Sequence, residues 1–118
     1  MVISKETSKT IEELQIFEQH IQGFLAQKQT VQIELQEVDN ALSEINKTKD
    51  DVYKILSGVM IKADKESLLK ELEEKKKIFE LRINSVEKQE KILEEKTVKL
   101  RDKISYALAE DKDNIARD

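Results

Sequence analysis

Apolar residues recur at alternating intervals of three and four positions between residues 14 and 45. Counted in sevens, they form two rows, Leu14, Ile21, Lys28, Leu35 and Leu42 beside Phe17, Phe24, Val31, Val38 and Ile45. Nine of these ten residues are apolar, and the spacing has no slip. Such a stripe is typical of the a and d seam of a coiled coil rather than of a lone amphipathic helix. The sequence therefore predicts a long coiled-coil helix.

A second heptad tract follows between residues 69 and 107. Its d row is wholly apolar and consists of Leu72, Phe79, Val86, Leu93, Leu100 and Ala107. Its a row is half polar and consists of Leu69, Lys76, Ile83, Glu90, Thr97 and Ile104. We expect a weaker seam here. Polar residues in the a row reduce the stability of a coiled coil, although they can specify its partner.

The two tracts match each other if the chain folds back on itself with the helices antiparallel. Each a layer then faces a d layer, and the residue numbers in every layer sum to 114. This register predicts that Lys28 and Glu90 form an ion pair, which would specify the register, since desolvation offsets the attraction between buried charges. The alternative is that the long Lys28 side chain carries its ammonium group out to water.

The composition excludes several classes of protein. The chain of 118 residues has no proline and only two glycines, which allows long uninterrupted helices. With 39% charged and 4% aromatic residues, an ordinary compact globular core is not expected. The net charge of −4, with both signs interleaved, disfavours nucleic-acid binding. Because there is no apolar run of signal-peptide or membrane-spanning length, we expect a cytoplasmic protein.

Element boundaries can be read from the same patterns. We predict a single domain, 1–118, with an N-terminal coiled-coil helix over about 5–47, a β-hairpin over 52–63, a C-terminal coiled-coil helix over about 65–109 and a polar tail over 110–118. Thr10 and Glu13 have the spacing of a capping box, but the seam spacing continues upstream, so the first helix can also begin near Ser4. Asp64 is the predicted N-cap of the second helix.

The segment from Val52 to Ala63 is β-branched and aromatic around a central Ser57-Gly58, which predicts a β-hairpin. Its candidate association residues are Val52, Tyr53, Ile55, Leu56, Gly58, Val59, Met60 and Ile61. Apolar side chains fall on both faces, and a lone two-stranded hairpin is marginally stable and has two open edges. We therefore expect strands from other chains to complete an intersubunit sheet or β-barrel. The alternative is an unusually apolar loop that caps the coiled coil.

Three stretches carry a family resemblance: Gln27-Lys28-Gln29 ahead of Val31 and Leu35, Val52-Tyr53-Lys54 with Gly58 before Val59-Met60-Ile61-Lys62, and Arg82 to Glu90 ending in Glu87-Lys88-Gln89-Glu90. With them the chain resembles the β-type subunit of prefoldin, the family of archaeal prefoldin beta and eukaryotic prefoldin subunit 6. The resemblance covers roughly residues 10–108. Heptads alone are unspecific, whereas the order of helix, single hairpin and helix is much more specific.

The resemblance implies a hetero-hexamer of two α-type and four β-type subunits, with hairpins forming β-barrels and coiled coils extending as tentacles. A single hairpin is the feature of the β type, because α-type subunits insert two. The resemblance further implies ATP-independent capture of unfolded or nascent polypeptides at the tentacle tips and their delivery to a group II chaperonin in the cytosol.

Apolar residues also gather at the open ends of the two tracts. The candidate client-binding residues are Ile3, Ile11, Leu14, Phe17, Leu100, Ile104 and Leu108. In the predicted register Ile104 faces Thr10 and Ala107 faces Thr7, so the seam loses apolar partners and should fray. Transiently exposed apolar surface suits weak, promiscuous contacts with unfolded chains. The alternative is that several of these residues are ordinary coiled-coil core.

The chain offers little for catalysis. His20 has no second histidine or cysteine at ligand spacing, and Gly23 and Gly58 do not form a phosphate-binding loop. We therefore expect a non-enzyme without metal or cofactor. Two other functions stay open: a helical-hairpin arm that binds structured RNA, which would need a basic tip, and an architectural coiled-coil tether.

Overall fold

The computed structural model describes residues 3–117, and the side chains of residues 3–110. Its elements are helix α1 (Lys5–Lys47), strand β1 (Val52–Leu56), strand β2 (Val59–Ala63) and helix α2 (Lys65–Arg117). The predicted order of helix, hairpin and helix is confirmed. Helix α2 continues beyond residue 109, where we expected a polar tail, because polar residues without glycine or proline do not stop a helix.

Helix α1 begins at a cap made by Ser4. The Ser4 Oγ accepts a hydrogen bond from the backbone N–H of Thr7 at 3.1 Å, which satisfies one of the free donors of the first turn. Thr10 lies inside the helix instead, where its hydroxyl donates to the carbonyl oxygen of Glu6 at 3.0 Å. The start near Ser4 is therefore confirmed, and a start at a Thr10–Glu13 capping box is wrong.

Helix α2 begins as predicted at Asp64. The Asp64 Oδ2 accepts hydrogen bonds from the backbone N–H and the hydroxyl of Ser67, at 3.1 and 2.9 Å. These bonds favour the ionised carboxylate, so they lower the pKa of Asp64. A negative charge in this position also stabilises the N-terminal end of the helix dipole.

The chain divides into two compact units. The hairpin unit is residues 28–85, and the terminal unit combines residues 1–27 with residues 86–118. In the hairpin unit, the Lys65 Nζ donates to the Thr48 carbonyl at 2.9 Å and Lys76 pairs with Asp39 at 3.0 Å. Lys65, at the start of α2, thus contacts Thr48 just after the end of α1, whereas Lys76, further along α2, contacts Asp39, further back along α1. Within this unit the two helices are therefore antiparallel.

The seams of the two units are closed by different side chains. In the hairpin unit the buried residues are apolar, namely Val38 and Leu42 in the seam and Val52 in strand β1. In the terminal unit the buried residues are threonines, namely Thr7, Thr10 and Thr97. The Thr97 hydroxyl donates to the carbonyl oxygen of Leu93 at 2.7 Å, so it is satisfied inside its own helix. Apolar packing is therefore concentrated next to the hairpin.

Candidate functional site

The β-hairpin turns through Ser57 and Gly58, whose φ angles are 49° and 78°. Two successive positive φ values define a type I′ turn, whose twist matches that of the flanking strands. The strands pair antiparallel with the register Val52 to Ala63, Tyr53 to Lys62, Lys54 to Ile61, Ile55 to Met60 and Leu56 to Val59. The predicted hairpin is therefore confirmed, and Gly58 serves the turn rather than the strand faces.

Both faces of the hairpin expose large apolar side chains. Side chains alternate between the faces along a strand, so Tyr53, Ile55 and Met60 share one face. Leu56, Val59 and Ile61 share the other face with Val52. Of these seven residues only Val52 is buried, and Ile55 and Met60 are the most open, at 69% and 67% exposure. A contiguous apolar surface of this kind is typical of an interaction site.

Both edges of the hairpin are also open within the described residues, because the sheet has only two strands. The pair that flanks the turn is hydrogen-bonded, and hydrogen-bonded pairs alternate along an antiparallel ladder. The backbone groups of Tyr53 and Ile55 therefore point outward on one edge, and those of Met60 and Lys62 point outward on the other. Each edge can accept a further strand.

Charged side chains on the hairpin have partners within the same unit. The Lys54 Nζ donates to both carboxylate oxygens of Glu71 in α2, at 2.7 and 2.9 Å. This hydrogen bond holds the pKa of Glu71 below its usual value. Lys62 lies 3.5 Å from Asp51. The ion pair between Lys54 and Glu71 ties β1 to α2 and so positions the apolar faces.

The predicted client-binding residues all lie in the terminal unit. Ile3 is exposed just before α1, while Ile11, Leu14, Phe17, Leu100, Ile104 and Leu108 are half-buried along the helices. An ion pair between Glu18 and Arg101, 3.0 Å apart, joins the two helices near several of these residues. Half-buried apolar side chains with charged neighbours leave a partly apolar surface on both helices. Fraying of this seam stays a prediction.

Further exposed apolar residues were missing from the sequence-based set. Ile16, Ile92 and Val98 are all exposed and all lie in the terminal unit. Their heptad positions could have indicated this exposure, because a two-helix seam buries residues at positions a and d and leaves the other positions open.

The remaining predictions concern charge and metal chemistry. Lys28 and Glu90 are both half-buried. Their ion pair stays a prediction. The described residues contain no group of histidine, cysteine and carboxylate side chains able to hold a metal ion. None of the helices, as far as they are described, is apolar enough over a sufficient length to span a bilayer.

Two long helices separated by one short hairpin, with apolar residues on both hairpin faces, define a helical-hairpin subunit of the prefoldin type. The model of the prefoldin subunit family matches residues 8–111. Prefoldin subunit beta of Thermococcus onnurineus is 39% identical over 108 residues, which are 90% of this chain and 93% of the relative. Prefoldin subunit beta of Pyrococcus furiosus is 37% identical over 108 residues, which are 90% of this chain and 92% of the relative.

Solved structures agree with these sequence matches. The crystal structure of the prefoldin beta subunit from Thermococcus strain KS-1 matches with a TM-score of 0.84 at 36% identity, covering 91% of this chain and 96% of that chain. The beta2 subunit of the same strain shares the fold, with a TM-score of 0.68 at 18% identity over 75% of this chain and 97% of that chain. The chain belongs to the prefoldin subunit family, as its sequence predicted.

Proposed function

We propose that the chain is a non-enzymatic subunit of an ATP-independent chaperone, assembled through its hairpin. The observation that carries this proposal is the hairpin itself, which exposes apolar side chains on both faces and backbone groups on both edges. A surface that is apolar on both sides cannot be covered by packing one side against the helices. Strands from neighbouring subunits would bury both faces and pair both edges.

The proposed assembly is a hetero-hexamer of two α-type and four β-type subunits. Membership of the prefoldin family supports other prefoldin subunits as the partners. The charges on the hairpin support association through apolar side chains and backbone hydrogen bonds. Because Lys54 is already paired with Glu71, and Lys62 with Asp51, neighbouring strands would meet apolar side chains and backbone groups rather than unpaired charges. Barrel closure would also remove the open edges.

Client capture is assigned to the terminal unit. Its half-buried and exposed apolar residues would make weak contacts with unfolded or nascent polypeptides in the cytoplasm, and several subunits acting together would multiply those contacts. Such binding requires neither a nucleotide nor a catalytic group. The captured chain would then be passed to a group II chaperonin.

Truncation of the terminal unit tests whether the hairpin unit mediates assembly and the terminal unit binds clients. A variant lacking the residues before Leu14 and after Leu100 retains the complete hairpin unit. Mixed with its α-type partner, it should form a complex of the expected mass by light scattering, yet fail to suppress aggregation of a denatured protein diluted from denaturant. Unchanged suppression would contradict client binding by the terminal unit. Failure to assemble would contradict assembly through the hairpin unit alone.

A further inference from the structure

A groove of about 460 Å³ runs between α1 and α2 within the hairpin unit. Its lining includes Val38, which is buried, and Ala41, Leu72 and Phe79, which are half-buried. Ile78 also lines the groove and is 49% exposed. Because no hairpin residue takes part, this apolar surface is separate from the two faces of the β-hairpin. We call it the charged groove, for the residues on its two walls.

The walls of the charged groove carry opposite charges. Helix α1 contributes Glu34 and Glu37, and helix α2 contributes Lys75 and Arg82. The ion pairs of the described residues use none of these four groups. The Arg82 guanidinium instead lies 6.0 Å from the centroid of the Phe79 ring, where a cation is attracted by the aromatic face. The four charges are therefore available to a partner.

The charges on the two walls lie at matching heights along the helices. The two contacts that fix the antiparallel register of this unit place Glu34 nearly level with Arg82, and Glu37 nearly level with Lys75. Each offset is about two residues, or about 3 Å at a rise of about 1.5 Å per residue. An acidic wall thus runs beside a basic wall of the same length.

This pattern is complementary to itself under one of two possible two-fold rotations. An axis parallel to the helices lays α1 of one copy over α2 of the other, so each acidic wall meets a basic wall. An axis across the helices lays α1 over α1, so like charges meet, which is unfavourable. Only the first rotation keeps both hairpins at the same end. It also makes every helix antiparallel to its neighbours, as in a four-helix bundle.

We propose that the charged groove packs against the same groove of a second copy of this chain, related by a two-fold axis parallel to the helices. Glu34 and Glu37 of each copy lie opposite Arg82 and Lys75 of the other, and α1 of the second copy covers Ile78. This contact goes beyond the proposed chaperone function, because it uses neither the open strand edges nor the terminal unit.

A charge exchange in the full-length chain tests the proposal. Glu34→Lys with Glu37→Lys makes both walls basic, and Lys75→Glu with Arg82→Glu makes both walls acidic. Each variant alone should associate about 30-fold more weakly than the wild type in a sedimentation-velocity dilution series, because like charges replace four ion pairs. An equimolar mixture of the two should regain the wild-type association, since basic walls then meet acidic walls.

A matched control separates this contact from an effect of net charge. Glu74→Lys with Glu87→Lys changes the charge by the same amount as the first variant, at exposed residues of α2 that do not line the groove. This control should associate like the wild type, and circular dichroism should show equal helix content in all the variants.

The other outcomes all count against the proposal. It is overturned if the wild type does not associate, if either variant alone associates as the wild type does, or if the mixture associates no better than its components. If one variant does not fold, salt provides a second measurement. Raising the salt from about 0.05 to about 0.5 M should weaken wild-type association about tenfold, and unchanged association would overturn the contact between charged walls.

Discussion

Assembly through the hairpin can be tested by making one of its faces polar. Ile55 and Met60 are direct cross-strand partners on the same face, and 69% and 67% of their surface is exposed in the single chain. Complete burial of such a side chain contributes about 1.5–3 kcal/mol, so covering the exposed two-thirds is worth about 1–2 kcal/mol for each residue. Replacing both by serine should therefore cost about 2–4 kcal/mol per chain, or about 30- to 1,000-fold in association constant.

Sedimentation velocity over a dilution series provides the assay. The Ile55→Ser, Met60→Ser variant, mixed with the proposed α-type partner, should dissociate at higher concentrations than the wild-type mixture. Its helical circular dichroism should be unchanged, because neither residue is part of the buried seam.

A matched control separates association from a general loss of apolar surface. Ile33 in α1 and Leu81 in α2 are 63% and 67% exposed, nearly the same as the two hairpin residues. Ile33→Ser with Leu81→Ser removes equivalent side chains outside the hairpin, and this variant should assemble like the wild type. The reasoning is refuted if the hairpin variant assembles normally, or if the control dissociates to the same extent.

Two further predictions concern the hairpin. Gly58→Ala places a side chain at a φ of 78°, where the strain of about 1–2 kcal/mol should speed hydrogen exchange of the strand amides; unchanged exchange would contradict this. Because the Lys54 hydrogen bonds lower the pKa of Glu71, this ion pair contributes stability that is present above the unfolded-state pKa of Glu71 and is lost as the pH falls through its lower folded-state pKa. The thermal unfolding temperature of Glu71→Gln should therefore fall less on acidification than that of the wild type. An equal fall in both proteins would contradict the role of this ion pair.

The sequence predicted the elements well because periodicity and turn chemistry are local signals. Seven-residue spacing indicated both helices, and the Ser57-Gly58 pair indicated a two-residue turn that the structure contains. Asp64 was correctly assigned as a cap, since its side chain bonds a residue only three positions away. The end of α2 was less predictable, because a polar segment can be helix or coil without violating any local preference.

The candidate site was only partly predictable. The register placed small residues together at one end of the seam, but whether they pack, fray or leave a void depends on how closely the backbones approach. A cavity beside Thr7 and Thr10 therefore appears only in three dimensions. A single chain shows that the hairpin faces are apolar, but it does not show which chain covers them.

Hydrogen exchange at the hairpin edges tests the central claim most directly. The outward backbone N–H groups belong to Tyr53 and Ile55 on β1 and to Met60 and Lys62 on β2. They should exchange rapidly in the isolated subunit and slowly in the assembled complex, where neighbouring strands accept their hydrogen bonds. Equally rapid exchange of all four amides in the assembled complex would contradict assembly through the hairpin.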